Sequence, residues 1–222
     1  MSAAHPNPAA PSAAAEPRCP ACGEPMYGWV VVGASDPSLG ASYVIDRCEQ
    51  CGLGLTRDVP GDDAPFEGAR SRLEEAGTAE IRAPNRASLQ AGIGGDQWAA
   101  LELPAQRLHL TPRSLELLLE RHGLEAARMR QPLLGRNQLW MWQTLLNGFT
   151  FHTNFARRVL SGRLRPRTAR SRTAFAVDAV VSTLAALPIA LVSVPLELIS
   201  ALARRGGELV VSVTRAASRS AS

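Results

Sequence analysis

The residues best placed to do chemistry are four cysteines. They stand at Cys19, Cys22, Cys48 and Cys51, in "CPACG" and "CEQCG", two C-x-x-C pairs 25 residues apart. Two intervening residues let one tight turn aim both thiolates at a single ion. The glycine after each pair, Gly23 or Gly52, lets the backbone fold over the sulfurs. This spacing predicts a zinc ribbon. Four thiolates fill a tetrahedral shell, so the zinc is expected to be structural rather than catalytic. Arg18 and Arg47 adjoin ligands and would offset the anionic centre. The first 17 residues hold no apolar signal core, so the cysteines are expected to face a reducing cytoplasm, where disulfides are rare.

The elements around them follow from local pattern. Residues 1–17 are Ala, Pro and Ser with almost no bulky side chain and are expected to be a disordered tail. Within a ribbon of 18–56, "MYGWVVVGAS" and "SYVIDR" read as strands. "VVVGASD" looks like a strand entering a phosphate loop, but no helix follows it, so that reading fails. Residues 57–77 form a linker and a short helix, and 78–85 read as a strand. The stretch "PNRASLQAGIGGDQWAALELP" (84–104) reads as a glycine-rich loop ending in a tryptophan. Thr111 is a good N-cap with Pro112 behind it. Leu115, Leu118 and Leu119 make one apolar face, and Gly123 closes the helix. Residues 124–130 and 206–215 read as strands, separated by an aromatic amphipathic helical region (137–160), an arginine run and a long apolar segment (174–203).

The order "APN-x-x-SLQA", "GGD-x-W", "L-x-LP", "H-L-TPRSL", "LLERHGL", "GRNQLWMWQTLLN" and "RRGGELVVSV" resembles the C-terminal half of a class I S-adenosylmethionine-dependent methyltransferase. The resemblance is to a subgroup with an N-terminal zinc ribbon and a hydrophobic helical insertion, and it covers 18–56 and about 78–216. It implies that 78–83, 124–130 and 208–214 correspond to the fifth, sixth and seventh strands of such a sheet. The fold expected is therefore α+β: a zinc ribbon, then a truncated Rossmann-like methyltransferase half of about three strands (78–130 and 206–216). A hydrophobic helical hairpin (131–205) is inserted into that half.

The front of that fold has no room. Only 32 residues separate Cys51 from Pro84, while one strand–helix–strand unit alone takes roughly 30. No G-x-G-x-G follows a strand, so no S-adenosylmethionine is expected to bind the isolated chain. In the subgroup the segment after the tryptophan reads Pro-Arg-His and then a second His. Here Pro104 is followed by Ala105 and Gln106, and only the second His, His109, remains. His109 is the one candidate base, set against packing or capping just before Thr111. Trp98 is read as a packing anchor and His122 as a helix C-terminal cation. The resemblance thus implies a methyltransferase-like protein that is catalytically inactive alone. The alternatives are one subunit of a split enzyme, whose missing half is a second protein completing the sheet, a zinc-ribbon membrane-surface or scaffold protein, and a gene remnant.

Charge and hydropathy bear on partners. All 24 basic residues are arginine, and ten of them lie between Ala126 and Val177 without one acidic residue. Such a block suits phosphate-bearing surfaces, or is a solvated face. No base-reading set accompanies it, so no specific nucleic-acid partner is expected. Residues 179–196 carry no charge, but Pro188 and Pro195 interrupt them and Asp178 and Glu197 bound them. A hairpin that docks on the sheet or dips into one leaflet fits these constraints better than a single crossing. The expected location is cytoplasmic, peripheral on the cytoplasmic face of an anionic membrane.

Overall fold

The computed structural model describes residues 17–33, 42–59, 64–103, 105–133, 135–164 and 168–216. All but the last residue of the expected tail lies outside them. Two sheets organise the chain. The first is built from β1 (Met26–Gly33), β2 (Ser42–Cys48), β3 (Gly54–Thr56) and β5 (Leu108–His109), in that order and antiparallel throughout. The second has the order β4 (Ala79–Pro84), β7 (Glu208–Arg215), β6 (Leu124–Arg130). Strand β7 is antiparallel to both neighbours, so β4 and β6 run parallel to one another on its flanks. The chain is therefore a mixed α+β protein with two antiparallel sheets.

Alternation decides which face of the second sheet is buried. Ala79, Ile81 and Ala83 of β4 and Leu209, Val211 and Val213 of β7 point to one side. There they pack against Phe66, Ala69 and Leu73 of α1 (Ala64–Ala76) and Leu115, Leu118 and Leu119 of α3 (Pro112–Arg121). Cys19, Met26, Cys48 and Leu53 belong to the same apolar cluster, so ribbon and sheet share one core across α3. The other face carries Glu80, whose carboxylate accepts from Arg82 at 2.8 Å and from Arg130 at 2.7 Å. The outer edge of β4 pairs with no strand among the described residues.

Three expectations change. The glycine-rich stretch is not an open loop: Leu89–Gly94 forms α2, followed by a 3-10 turn at Gly95–Gln97. Ser88 starts α2 by accepting from the Ala91 N–H at 3.1 Å, and Gly95 stops it at φ +55°. The amphipathic region 137–160 is two helices, α4 (Arg136–Asn147) and α5 (Phe155–Leu160), broken at Asn154 with φ +57°. The apolar segment is one helix, α6 (Ala169–Leu202), which continues through Pro188 and Pro195. Each proline lacks a helical N–H, yet α4 clamps the segment alongside. Trp142 donates its indole N–H to the Ala186 carbonyl at 2.9 Å, and Gln138 donates to Ser193 at 2.8 Å. These pairings run in opposite senses, so the hairpin consists of α4 and α6 and is not formed within the apolar segment. It leaves from β6 and returns to β7, strands that pair side by side.

Candidate metal centre

The four predicted cysteines converge. Their sulfurs all lie within 4.8 Å of one another, with Cys19–Cys51 at 3.5 Å, Cys22–Cys48 at 3.4 Å and Cys22–Cys51 at 3.8 Å. Four ligands at the usual Zn–S length of about 2.3 Å on a tetrahedron are about 3.8 Å apart, so the cluster has the dimensions a zinc ion needs. The two knuckles are built alike. Gly23 N–H donates to the Cys19 carbonyl at 2.8 Å, and Gly52 N–H to the Cys48 carbonyl at 2.9 Å. Both glycines have positive φ, +84° and +74°. A Cβ on Gly52 would also press on Thr111 at 3.0 Å.

Cys19, Cys48 and Cys51 are buried and Cys22 is half-buried. Burial pushes the thiols of Cys51 and Cys22 up, whereas backbone N–H donors and the Cys22 sulfur hold Cys48 down. A cation among the sulfurs would offset the burial that opposes ionisation of Cys51 and Cys22. The donor set thus fits a metal ion such as zinc, and its soft sulfur ligands in tetrahedral array favour zinc over hard cations.

The centre is anchored to the rest of the chain by a residue whose link to it the sequence did not reveal. Thr111 caps α3 by accepting from Ser114 N–H at 3.1 Å, and its hydroxyl donates to the Cys51 carbonyl at 2.7 Å. One side chain therefore fixes both the second knuckle and the helix start.

His109 takes no exposed position. It is 2% exposed, and its Nε2 pairs with the Thr56 hydroxyl at 2.8 Å. It stands on β5, a strand absent from the sequence reading, which completes the ribbon sheet. Burial and the charge of Arg86 bring its pKa down to about 4, so the imidazole is neutral at pH 7. Trp98 is 1% exposed and donates its indole N–H to Gln90 at 3.2 Å. His122 caps the C-terminus of α3 and stacks on Phe66 with ring centroids 4.7 Å apart.

Asn85, noted in the sequence only as the end of a strand, is a buried staple. Its backbone N–H donates to the Gly207 carbonyl and its amide to the Gly206 carbonyl, both at 2.7 Å, joining the end of β4 to the entry of β7. No family model, curated protein or solved structure matches the chain.

Proposed function

We propose that this chain is a methyltransferase-like protein that neither binds S-adenosylmethionine nor transfers methyl groups by itself, and whose cysteines hold a structural zinc. The observation that carries the reading is the second sheet. The three segments that the resemblance names as fifth, sixth and seventh strands meet in one sheet, with the seventh between the other two. A helix precedes the sixth and a helical insertion separates the sixth from the seventh, in keeping with the resemblance. The described residues offer no glycine loop between a strand and a helix to cradle a cofactor. Calorimetry with S-adenosylmethionine on the purified, zinc-loaded chain tests this, with no heat of binding expected. Micromolar binding by the chain alone would overturn it. Binding that needs a second protein would favour the split enzyme, for which the bare outer edge of β4 is the natural junction.

A second reading rests on α6. Its inward side carries Asp178, Ser193, Glu197 and Ser200, all buried, while its exposed side carries Val177, Val180, Leu184, Leu187, Leu191, Val194, Leu198 and Leu202. Leu184, Leu187 and Leu191 are 73%, 70% and 69% exposed. That is the reverse of a water-facing helix. The helix is long and apolar enough to cross a membrane, and only 17% of its most apolar stretch is buried. Arginines stand at both ends, Arg172 at one and Arg204 and Arg205 at the other. A crossing would have to carry Arg172 through the hydrocarbon to the far side. A helix lying flat keeps both groups among anionic headgroups, so this reading makes the chain peripheral, with acyl chains covering α6.

Co-sedimentation with phosphatidylglycerol vesicles is the test. The paired change Leu187→Asp and Leu191→Asp, at two largely exposed positions, is expected to abolish binding and leave melting within about 1 kcal/mol. Vesicle binding that survives the pair would eliminate the reading, as would a dimer that the pair dissolves.

A further inference from the structure

A second cavity, of about 360 Å³, lies between the ribbon and the turn that follows β4. Its chemistry is one-sided. Arg47 of β2, Arg86 after β4 and Arg205 before β7 all line it, with Trp29, and no acidic residue does among the described residues. Four of its wall positions are glycines, which leave the space open rather than filled with side chain.

The charges are held in place and left unanswered. Arg86 stacks its guanidinium 4.0 Å from the Trp29 ring centroid and sits 5.9 Å from that of Trp98. Arg47 approaches the same Trp29 ring at 5.8 Å. A guanidinium has five N–H donors. Arg86 spends one on the Ala91 carbonyl, at a long 3.4 Å, and Arg205 spends one on the Ala87 carbonyl at 3.2 Å. None of the three forms an ion pair among the described residues. On the neighbouring stretch of the same sheet, by contrast, Asp46 holds Arg57 through two bonds of 2.7 and 2.6 Å. Burial and the charge of Arg47 bring the pKa of Arg86 down to about 10, so Arg86 stays a cation at pH 7 in spite of its like-charged neighbour. The loop that carries Arg86 is rigid by construction. Its backbone N–H donates to the Leu110 carbonyl at 2.7 Å, and the Asn85 staple lies immediately before it.

We propose that Arg47, Arg86 and Arg205 form a binding site for the phosphate group of an organic phosphate, with Trp29 fixing the orientation of the arginines. Planar guanidinium forks match phosphate oxygens in pairs, and three of them offer more donors than a single carboxylate can accept, for a phosphate monoester or diester alike. A cavity of this size accepts a phosphorylated sugar or a lipid headgroup. The site is independent of the methyltransferase-like reading, since it uses no residue of a cofactor loop.

The experiment is calorimetry on the full zinc-loaded chain with glucose 1-phosphate, and in parallel with vesicles of phosphatidylcholine, with and without phosphatidylglycerol. Saturable binding with Kd at or below about 1 mM is expected for at least one probe. Arg86→Gln should weaken it at least about tenfold, while Arg113→Gln, on the exposed side of α3, should leave it unchanged. Binding of the sugar phosphate identifies a soluble ligand. Binding confined to phosphatidylglycerol vesicles and lost in Arg86→Gln identifies a lipid headgroup. Zinc content and melting report whether the variant is folded. If Arg86→Gln does not fold, the exposed pair Arg47→Gln and Arg205→Gln takes its place with the same expected loss. Absence of binding by every probe, or binding that ignores these arginines, overturns the site. Vesicle binding that depends on α6 alone counts as the latter.

Discussion

Cys22 is the least buried ligand, and replacing it tests the metal centre with the least damage to packing. Native mass spectrometry is expected to find one zinc per chain, absent in Cys22→Ser; a folded ribbon without metal would sink the assignment. Thr111→Ala removes a helix cap and a hydrogen bond to the Cys51 carbonyl together, and should cost about 2 kcal/mol in urea unfolding. A loss confined to the cap would be nearer 1 kcal/mol and would leave the zinc off-rate unchanged. His109 gives a pH signature. Its folded pKa of about 4 lies below the unfolded value of about 6.5, so the unfolded chain gains the proton first as pH falls. The stability lent by neutral His109 is complete above pH 6.5 and is lost progressively towards pH 4, by about 3 kcal/mol. His109→Gln should therefore lose less stability over that interval than the parent chain, and identical pH profiles would refute the assignment.

The elements that were legible in the sequence are those whose signals are local. The C-x-x-C-G knuckles, the Thr111–Pro112 start of α3, Gly123 after it and the alternating strand β7 each announce themselves within a few residues. What was not legible depends on distant partners. Strand β5 has two residues and no pattern of its own, and its pairing with β3 relies on Gly54, where a Cβ would press on the His109 side chain opposite. The continuity of α6 through two prolines is accompanied by contacts to α4, and its inward polar residues meet distant partners, Ser193 on Gln138 of α4 and Asp178 on the backbone N–H groups of Phe151 and His152. Helix α2 was obscured by its glycines, although Ser88 is an ordinary cap. Its seat is tight: any Cβ on Gly207 would collide with the Gln90 side chain. Gly207→Ala is thus expected to destabilise by about 2–3 kcal/mol, and adding Gln90→Ser should recover part of that loss, measured as a coupling in a double-mutant cycle. Additive effects would mean that the clash is relieved elsewhere.

For the molecule as a unit, the ribbon is not an appendage. Strand β5, the Thr111 bond and the shared apolar cluster tie it to the second sheet. Removing zinc with a chelator should lower the single melting transition of the whole chain and not merely erase a first, small one. Two separated transitions in the metal-loaded protein would contradict this.

The middle position of β7 also dictates an order of events while the chain is being synthesised. Neither β4 nor β6 has a partner until β7 emerges, although β4 precedes it by more than a hundred residues. Helix α6 is the last element made before β7, only five residues ahead of it, so its oily side emerges while its sheet is still unbuilt. A ribbon closed early, if its four sulfurs take up a metal, would give the nascent chain one finished piece to wait on. The remainder has no finished sheet until the last pairing locks it.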